Sequence, residues 1–547
     1  MKTETGLYTF IKKYADLNFK RLYFALFLTI FSAVNALLFS YSLQSLVNGF
    51  FGKGMQAQAI IFPIALLLFD LVSGVISYYT LGDLAASAVM HIRQGLWSRY
   101  NYFSYLKLNE QSSGVLASRL VNDTNLISEV LSSSLPQLLT GTITIIGSFV
   151  MLLVLNFKLT LTLMVTIPLL GFLIALISRK ISKYFTETQQ LTADANQLAI
   201  SILQSDLVVK SYGAEEKVTE LGNQVFRKIY RVVQKQLKLI AVLNPLINVI
   251  MMVSLLGIIG LGGLAVTQKV MTVGALVSYV MFTFQLIAPI TSIAGQYTNI
   301  AKVTGVVKNL ERLFNMPVEK ATPSQRKIEQ IEEVAIKEGS FRYPGGHSIY
   351  IPHLAIGQNE LIRLKGKNGS GKSTILKILS GMYDLDEGDF YINGLNRKDV
   401  NIFTFRKHLA YVDQNSSLLP GSIRENLLLG FDNPDTVRDD QIWSALRKVK
   451  MDDFVLQLPE GLDSAVAENG DNFSGGQRQR IAIARALISD CDFYFFDEIT
   501  SDLDTETKEI IVSLMRYLHQ ELGKTVVYID HDNIRIAGER TLMVTVD

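Results

Sequence analysis

Hydrophobic and polar positions divide this chain of 547 residues into two unlike halves. From Leu22 to Val47 there is no charged side chain. A second apolar stretch runs from about Ala57 to Leu81 with a single carboxylate, Asp70. Two more lie back to back, Leu138–Leu155 and Leu159–Ile177, and a last pair covers Leu239–Val266 and Val270–Ala294. A helix needs about 20 apolar residues to cross a ~30 Å hydrocarbon layer, so the pattern predicts six membrane spans. The short breaks Asn156-Phe157-Lys158 and Thr267-Gln268-Lys269 predict tight hairpins.

Basic residues orient these spans. The connections holding Lys53, Lys158 and Lys269 carry one lysine each, whereas His91–Arg119 and Arg179–Lys238 are rich in lysine and arginine. Such residues accumulate on the cytoplasmic side. That places the N-terminus, both long connections and everything after the sixth span in the cytoplasm of a multi-pass cell-membrane protein. Lys12, Lys13, Lys20 and Arg21 imitate the start of a signal peptide, but the apolar run behind them is too long and lacks a small-x-small closing site. It reads as an uncleaved span. The helical periodicity of the long connections predicts helices that continue beyond the lipid.

Asn35, Gln44, Asp70, Asn244, Asn248 and Gln285 interrupt the apolar pattern. They fit a cavity for an amphipathic ligand, and they fit helix-to-helix hydrogen bonding as well. Asp70, costly to expose to lipid, should face the bundle interior or a wet cavity. Pro168, Pro245 and Pro289 lie inside spans and can bend them.

The apolar excess, 49% hydrophobic against 19% charged residues over the whole chain, ends near residue 300. After Val303 the chain turns polar, and Pro317 and Pro323 follow. We read 1–310 as a membrane domain, 311–333 as a linker and 334–547 as a globular domain. A net charge of +2, with no basic stripe interleaved with aromatics, gives no ground for nucleic acid as a partner. The single cysteine, Cys491, excludes an intramolecular disulfide framework and reads as a small buried side chain.

The globular half carries the chemistry. Gly366–Thr374, GKNGSGKST, fits the phosphate-loop pattern in full, between the strand-like run Asn359–Leu364 and a helical pattern at Ile375, Leu376, Ile378 and Leu379. In such a loop Gly366, Lys367, Asn368, Gly369, Ser370 and Gly371 let backbone N–H groups wrap a phosphate chain; Lys372 adds a positive charge and Ser373 a hydroxyl for Mg²⁺. Downstream, Phe493–Phe496 is an apolar run ending in two carboxylates, which suits a buried strand delivering acids at its edge. Asp497 would hold the Mg²⁺ shell and Glu498 would polarise an attacking water. Ser474-Gly475-Gly476-Gln477 precedes a helical run to Ile488, a second anion site in the same domain. One domain cannot aim both sites at a single γ-phosphate unless the second acts on another molecule.

These features resemble the nucleotide-binding domain of ATP-binding cassette (ABC) transporters, and the six spans resemble the membrane domain of that family's exporter-type half-transporters. The resemblance covers essentially the whole chain. Gly366–Thr374 matches Walker A, Gln414 in Tyr411-Val412-Asp413-Gln414 the Q-loop, and Ser474–Gln477 the signature. Asp497 and Glu498 match Walker B with its catalytic glutamate, Ser501-Asp502-Leu503-Asp504 the D-loop, and His531 the switch histidine. Tyr343 stands where the family stacks an aromatic ring on adenine. Gly114–Asp123 and Val209–Glu215 resemble the regions carrying the first and second coupling helices. Phe473, Asp413 and Asp532 depart from the family's usual Leu, Pro and Arg, at positions that do not contact phosphate. There is no N-terminal Cys/His pair of the kind found with a fused leader peptidase.

The resemblance implies an all-α six-helix transmembrane domain of the exporter type, followed by an α/β P-loop domain. It implies ATP and Mg²⁺, with Ser373, Gln414 and Asp497 around the metal and Glu498, His531 and Gln414 at the reacting phosphate. It also implies that ATP is sandwiched between Walker A of one subunit and the signature of another. Because no catalytic element is degenerate, the expected partner is a second copy of this chain, in contact with membrane lipid. The implied function is ATP-driven efflux of an amphipathic small molecule, drug or peptide. A lipid flippase, an importer on the same fold and a nucleotide-gated regulator are the alternatives; intact Glu498 and His531 disfavour the last.

Overall fold

The computed structural model describes residues 6–51, 56–343, 346, 348–499, 505–530 and 535–544, with some helix side chains, chiefly between 162 and 178, outside the description. The chain divides into two units, Met1–Trp97 with Leu116–Asn315, and Ser98–Val115 with Met316–Asp547.

The described residues of the first unit are almost entirely helical. Helix α1 (Leu7–Tyr14) stacks Tyr14 on Phe314 at 4.0 Å. It is followed by α2 (Phe19–Phe51) and α3 (Ala57–Asn101). The short α4 (Tyr105–Asn109) belongs to the second unit. Helices α5 (Ser113–Ser118), α6 (Thr124–Glu129) and α7 (Leu135–Leu155) run on through two π-turns as one rod. Helices α8 (Phe157–Gln204), α9 (Asp206–Ser211), α10 (Glu215–Thr267) and α11 (Val273–Phe314) complete the unit. Among the described residues, five rods are long and apolar enough to cross a membrane: α2, α3, Ser113–Leu155, α10 and α11. The sixth expected span, Leu159–Ile177, falls within α8, where most side chains lie outside the description. At 1.5 Å per residue, α10 with 53 residues is about 80 Å long, far beyond the thickness of a hydrocarbon layer. A helix of that length leaves room for the expected extensions.

The tight hairpins have a simple cause. Asn156 alone is extended (φ −163°, ψ 104°) between α7 and α8, and its side chain accepts the N–H of Leu159 at 3.1 Å. At the next turn Thr272 caps α11 by accepting the N–H of Ala275 at 3.1 Å, and Asn48 of α2 accepts that of Gly274 at 2.9 Å. Tyr279 and Phe282 of α11 are fully buried against Leu152, Leu159 and Ile258, with the Tyr279 hydroxyl 3.1 Å from Thr160 Oγ1.

The second unit is α/β. An antiparallel sheet, in the order β2-β1-β4-β5, comprises β1 (Glu333–Arg342), β2 (Ser348–Gly357), β4 (Glu387–Ile392) and β5 (Leu395–Asn396). A parallel sheet, β11-β3-β10-β9-β6, is built of β3 (Leu361–Lys365), β6 (Leu409–Val412), β9 (Phe493–Asp497), β10 (Thr525–Ile529) and β11 (Arg540–Met543). The small ribbon β7 (Gly421–Ser422) and β8 (Ala465–Val466) stands apart. A parallel sheet is covered on both faces, so its strands read as continuous apolar runs. Along β9, Phe493 and Phe495 enter one core with Ile362, Leu364 and Ile529, while Tyr494 and Phe496 enter the other with Ile481, Ile511 and Tyr528.

The segment Ser98–Val115 packs on this unit. Tyr102 lies edge-on to Phe403 at 5.8 Å, Tyr105 meets Tyr383 at 5.9 Å, and Leu106 packs against the core. Residues between Met316 and Glu333 are docked rather than free: Glu319 pairs through both oxygens with Arg406, and Ile328 and Ile331 are buried.

Candidate nucleotide site

Strand β3 ends at Lys365, and α12 (Lys372–Leu379) begins six residues beyond Gly366. The connection is shaped by glycine at two positions. Gly371 has φ +83°, and a Cβ there would meet Ile349 Cδ1 at 2.3 Å, so any other residue would be both strained and obstructed. Gly366 is pressed behind the loop, where a Cβ would lie 2.5 Å from Ser370 Oγ and from the Val544 carbonyl.

In front of the loop is a cavity of about 500 Å³, lined by Tyr343, Ser348, Ile349, Asn368, Gly369, Gly371, Lys372, Ser373, Thr374 and Glu498. Lys372 is buried and its Nζ donates to the carbonyls of Gly366 and Lys367 at 3.1 and 3.2 Å. The Tyr343 hydroxyl lies 2.9 Å from Thr374 Oγ1, and its ring is edge-on to Phe341 and Tyr383. Ser370 Oγ is buried with no partner among the described residues.

At the floor of the cavity two distant motifs meet. Ser373 Oγ donates to Asp497 Oδ1 at 2.8 Å across 124 residues of sequence. The other oxygen, Oδ2, accepts from the Tyr411 hydroxyl at 2.8 Å. Burial first, then the negative charge of Asp497, pushes the Tyr411 phenol well above its ordinary range, so it remains a donor. Glu498 follows β9 directly in left-handed conformation, φ +54°, uncommon for a residue with a Cβ, and this turn brings it to the cavity wall.

The structure does not gather every expected residue here. Gln414 sits in an exposed turn just past β6 and does not line the cavity. Ser474–Gln477 also lies outside it. Ser474 caps the helix Gly475–Ile488 by accepting the Gln477 N–H at 3.2 Å, while the Gln477 side chain accepts the Ser474 N–H at 2.8 Å. Nothing stands within 4 Å of a Cβ built on Gly475. His531, Asp532 and Ser501–Asp504 lie outside the described residues. Phe473 turns into the core beside Phe454, and Asp413 accepts the Ser416 N–H at 3.1 Å.

The residues fit a nucleoside triphosphate: an open backbone cradle at a helix N-terminus, a buried lysine, and a hydroxyl against a carboxylate. The family models agree with this geometry. Residues 22–290 match the ABC transporter transmembrane region, and residues 352–501 match the ABC transporter model of the cassette. The chain belongs to the ABC transporters.

Like the family, this transporter hydrolyses ATP in its cassette and couples that reaction to transport through its membrane domain. It is 28% identical over 492 residues to the multidrug resistance ABC transporter ATP-binding and permease protein of Lactococcus lactis, covering 89% of this chain and 82% of that one. It is also 28% identical over 511 residues to the ATP-dependent lipid A-core flippase of Vibrio cholerae, covering 92% and 87%. Among solved structures, a bacterial Atm1-family ABC exporter with ATP bound superimposes with a TM-score of 0.76 at 23% identity, covering 96% of this chain and 93% of that one. The transporter thus has the exporter-type fold. Tyr411 is the candidate site residue that sequence reasoning misses. It belongs to the same short run as Gln414, but only the parallel pairing of β6 with β9 brings its hydroxyl to Asp497.

Proposed function

We propose that this transporter is an ATP-driven exporter that works as a homodimer in the cell membrane, with its cassette and N-terminus in the cytoplasm. The observation that carries the reading is the meeting of Ser373, Asp497 and Glu498 at one cavity that the signature residues of the same chain do not reach. A second copy supplies Ser474–Gln477 to that cavity. The exposed apolar side chains of Leu207, Val208 and Tyr212, on and just after α9, suit docking on a second copy, as the resemblance to the second coupling helix implies.

Lys372 and the loop amides hold the phosphates, and Tyr343 borders the adenine end. Mg²⁺ would be held by Ser373 and Asp497, with Gln414 brought in on closure, and supplies neutralising charge to the β- and γ-phosphates when bound. Glu498 orients the attacking water and takes up its proton, and His531 assists at the γ-phosphate. Closure of two cassettes on ATP turns the membrane cavity outward; hydrolysis and phosphate release reset it. The substrate is an amphipathic molecule such as a drug, lipid or peptide, and the names of the relatives, multidrug and lipid A-core, support that breadth.

Inverted membrane vesicles test direction and chemistry together. Added ATP should drive accumulation of an amphipathic dye in the lumen, and Glu498→Gln should lower hydrolysis by about 100-fold or more while nucleotide still binds. Accumulation only in right-side-out vesicles, or undiminished hydrolysis by the variant, would contradict the proposal.

A further inference from the structure

The six apolar runs contain one ionisable carboxylate, Asp70, and no lysine, arginine or histidine. The ATPase chemistry gives it no task. It stands near the middle of the run Ala57–Leu81, and its partner Ser32 near the middle of Leu22–Val47, so both lie at the depth where a charge is most costly.

Helices α2 and α3 are linked there by a polar seam. Thr29 Oγ1 and Ser77 Oγ are 2.7 Å apart, and Asn35 Nδ2 donates to the Leu66 carbonyl at 2.7 Å. Between these neutral pairs, Ser32 Oγ donates to Asp70 Oδ1 at 2.6 Å. Neutral groups thus suffice to link the helices on either side of Asp70. A carboxylate offers about four acceptor positions, and the serine fills one. Beside this pair, Phe31 and Phe69 meet edge to face at 5.0 Å, with 39% and 47% of their surfaces exposed. A half-buried carboxylate and two accessible aromatic rings therefore share one level of the membrane. A positive charge on a ligand would offset the cost of the carboxylate, and ring faces add cation–π attraction.

We propose that Asp70, Phe31 and Phe69 form an intramembrane recognition site for lipophilic organic cations. The site deepens the export reading by naming a substrate class, and rests on that reading only for the transport steps after binding.

Tetraphenylphosphonium and tetraphenylborate share size and shape but carry opposite charge. Equilibrium binding of each to the transporter in nanodiscs should show the cation bound in preference to the anion. Asp70→Asn should weaken the cation by about tenfold or more with ATP binding unchanged, and Asp70→Glu should retain it. If Asp70→Asn fails to assemble, Phe69→Leu carries the test and should weaken the cation several-fold. Equal affinity of the wild type for both ions, or cation affinity unmoved by these changes, overturns the site. ATP-driven vesicle uptake is read separately: its absence beside intact, Asp70-dependent binding would contradict export and leave this site standing.

Discussion

Asp497 shows how single residues hold the site together. One oxygen receives Ser373 from α12 and the other receives Tyr411 from β6, so the carboxylate is held from two sides. A hydrogen bond to a charged group contributes about 1.5–3 kcal/mol. Tyr411→Phe should therefore raise the Mg²⁺ concentration needed for half-maximal ATPase activity by about tenfold or more, with metal-free nucleotide affinity unchanged. A Mg²⁺ titration identical to wild type would show that the hydroxyl does not position Asp497. Gly371, Lys372, Ser373, Asp497 and Glu498 are all legible in the sequence, because phosphate binding demands fixed residue types at fixed spacing. Tyr411 is not, because its role comes from strand pairing that local sequence does not encode. Cys491 reads the same at both levels: it is buried, and its thiol is pushed up to about 12 by that burial, which leaves it unreactive.

The long elements follow the apolar pattern closely, and their joints follow less visible rules. The start of α11 is pressed so closely on α2 that a Cβ at Gly274 would meet the Gln44 carbonyl at 2.2 Å and Asn48 Oδ1 at 2.7 Å. A helix backbone cannot yield locally as a side-chain tip can. Gly274→Ala should cost about 1–3 kcal/mol and lower the melting temperature of the purified protein; an unchanged melting temperature would mean that the two helices part freely. The docking of α4 is legible only in outline. The aromatic contacts to the cassette unit come from Tyr102 and Tyr105, upstream of Gly114–Asp123, the stretch that resembles the region carrying the first coupling helix. Gly114–Asp123 continues instead into the rod Ser113–Leu155. Length and polarity reveal that a cytoplasmic connection is helical, but which turn of it docks depends on the cassette's surface.

At the scale of the whole molecule, the chain holds the parts of a complete ATPase, and among the described residues they do not all meet in one place. The cavity is lined by Walker A residues and Glu498, with Asp497 bonded to its Ser373, and the signature helix begins elsewhere with its cap exposed. The second anion site in the sequence hints at this, and the geometry supports the need for a second copy. Complementation tests that claim most directly. Lys372→Ala disables the phosphate loop, and Gly475→Asp places a carboxylate at the signature N-terminus, where it repels phosphate. A homodimer of either variant has no intact composite site, whereas a mixed dimer keeps one, made of the loop of the Gly475→Asp chain and the signature of the Lys372→Ala chain. The ATPase rate of the purified mixed dimer should be restored well above that of either parent. A mixed dimer as inactive as both homodimers, or full activity of either homodimer alone, would contradict the shared site.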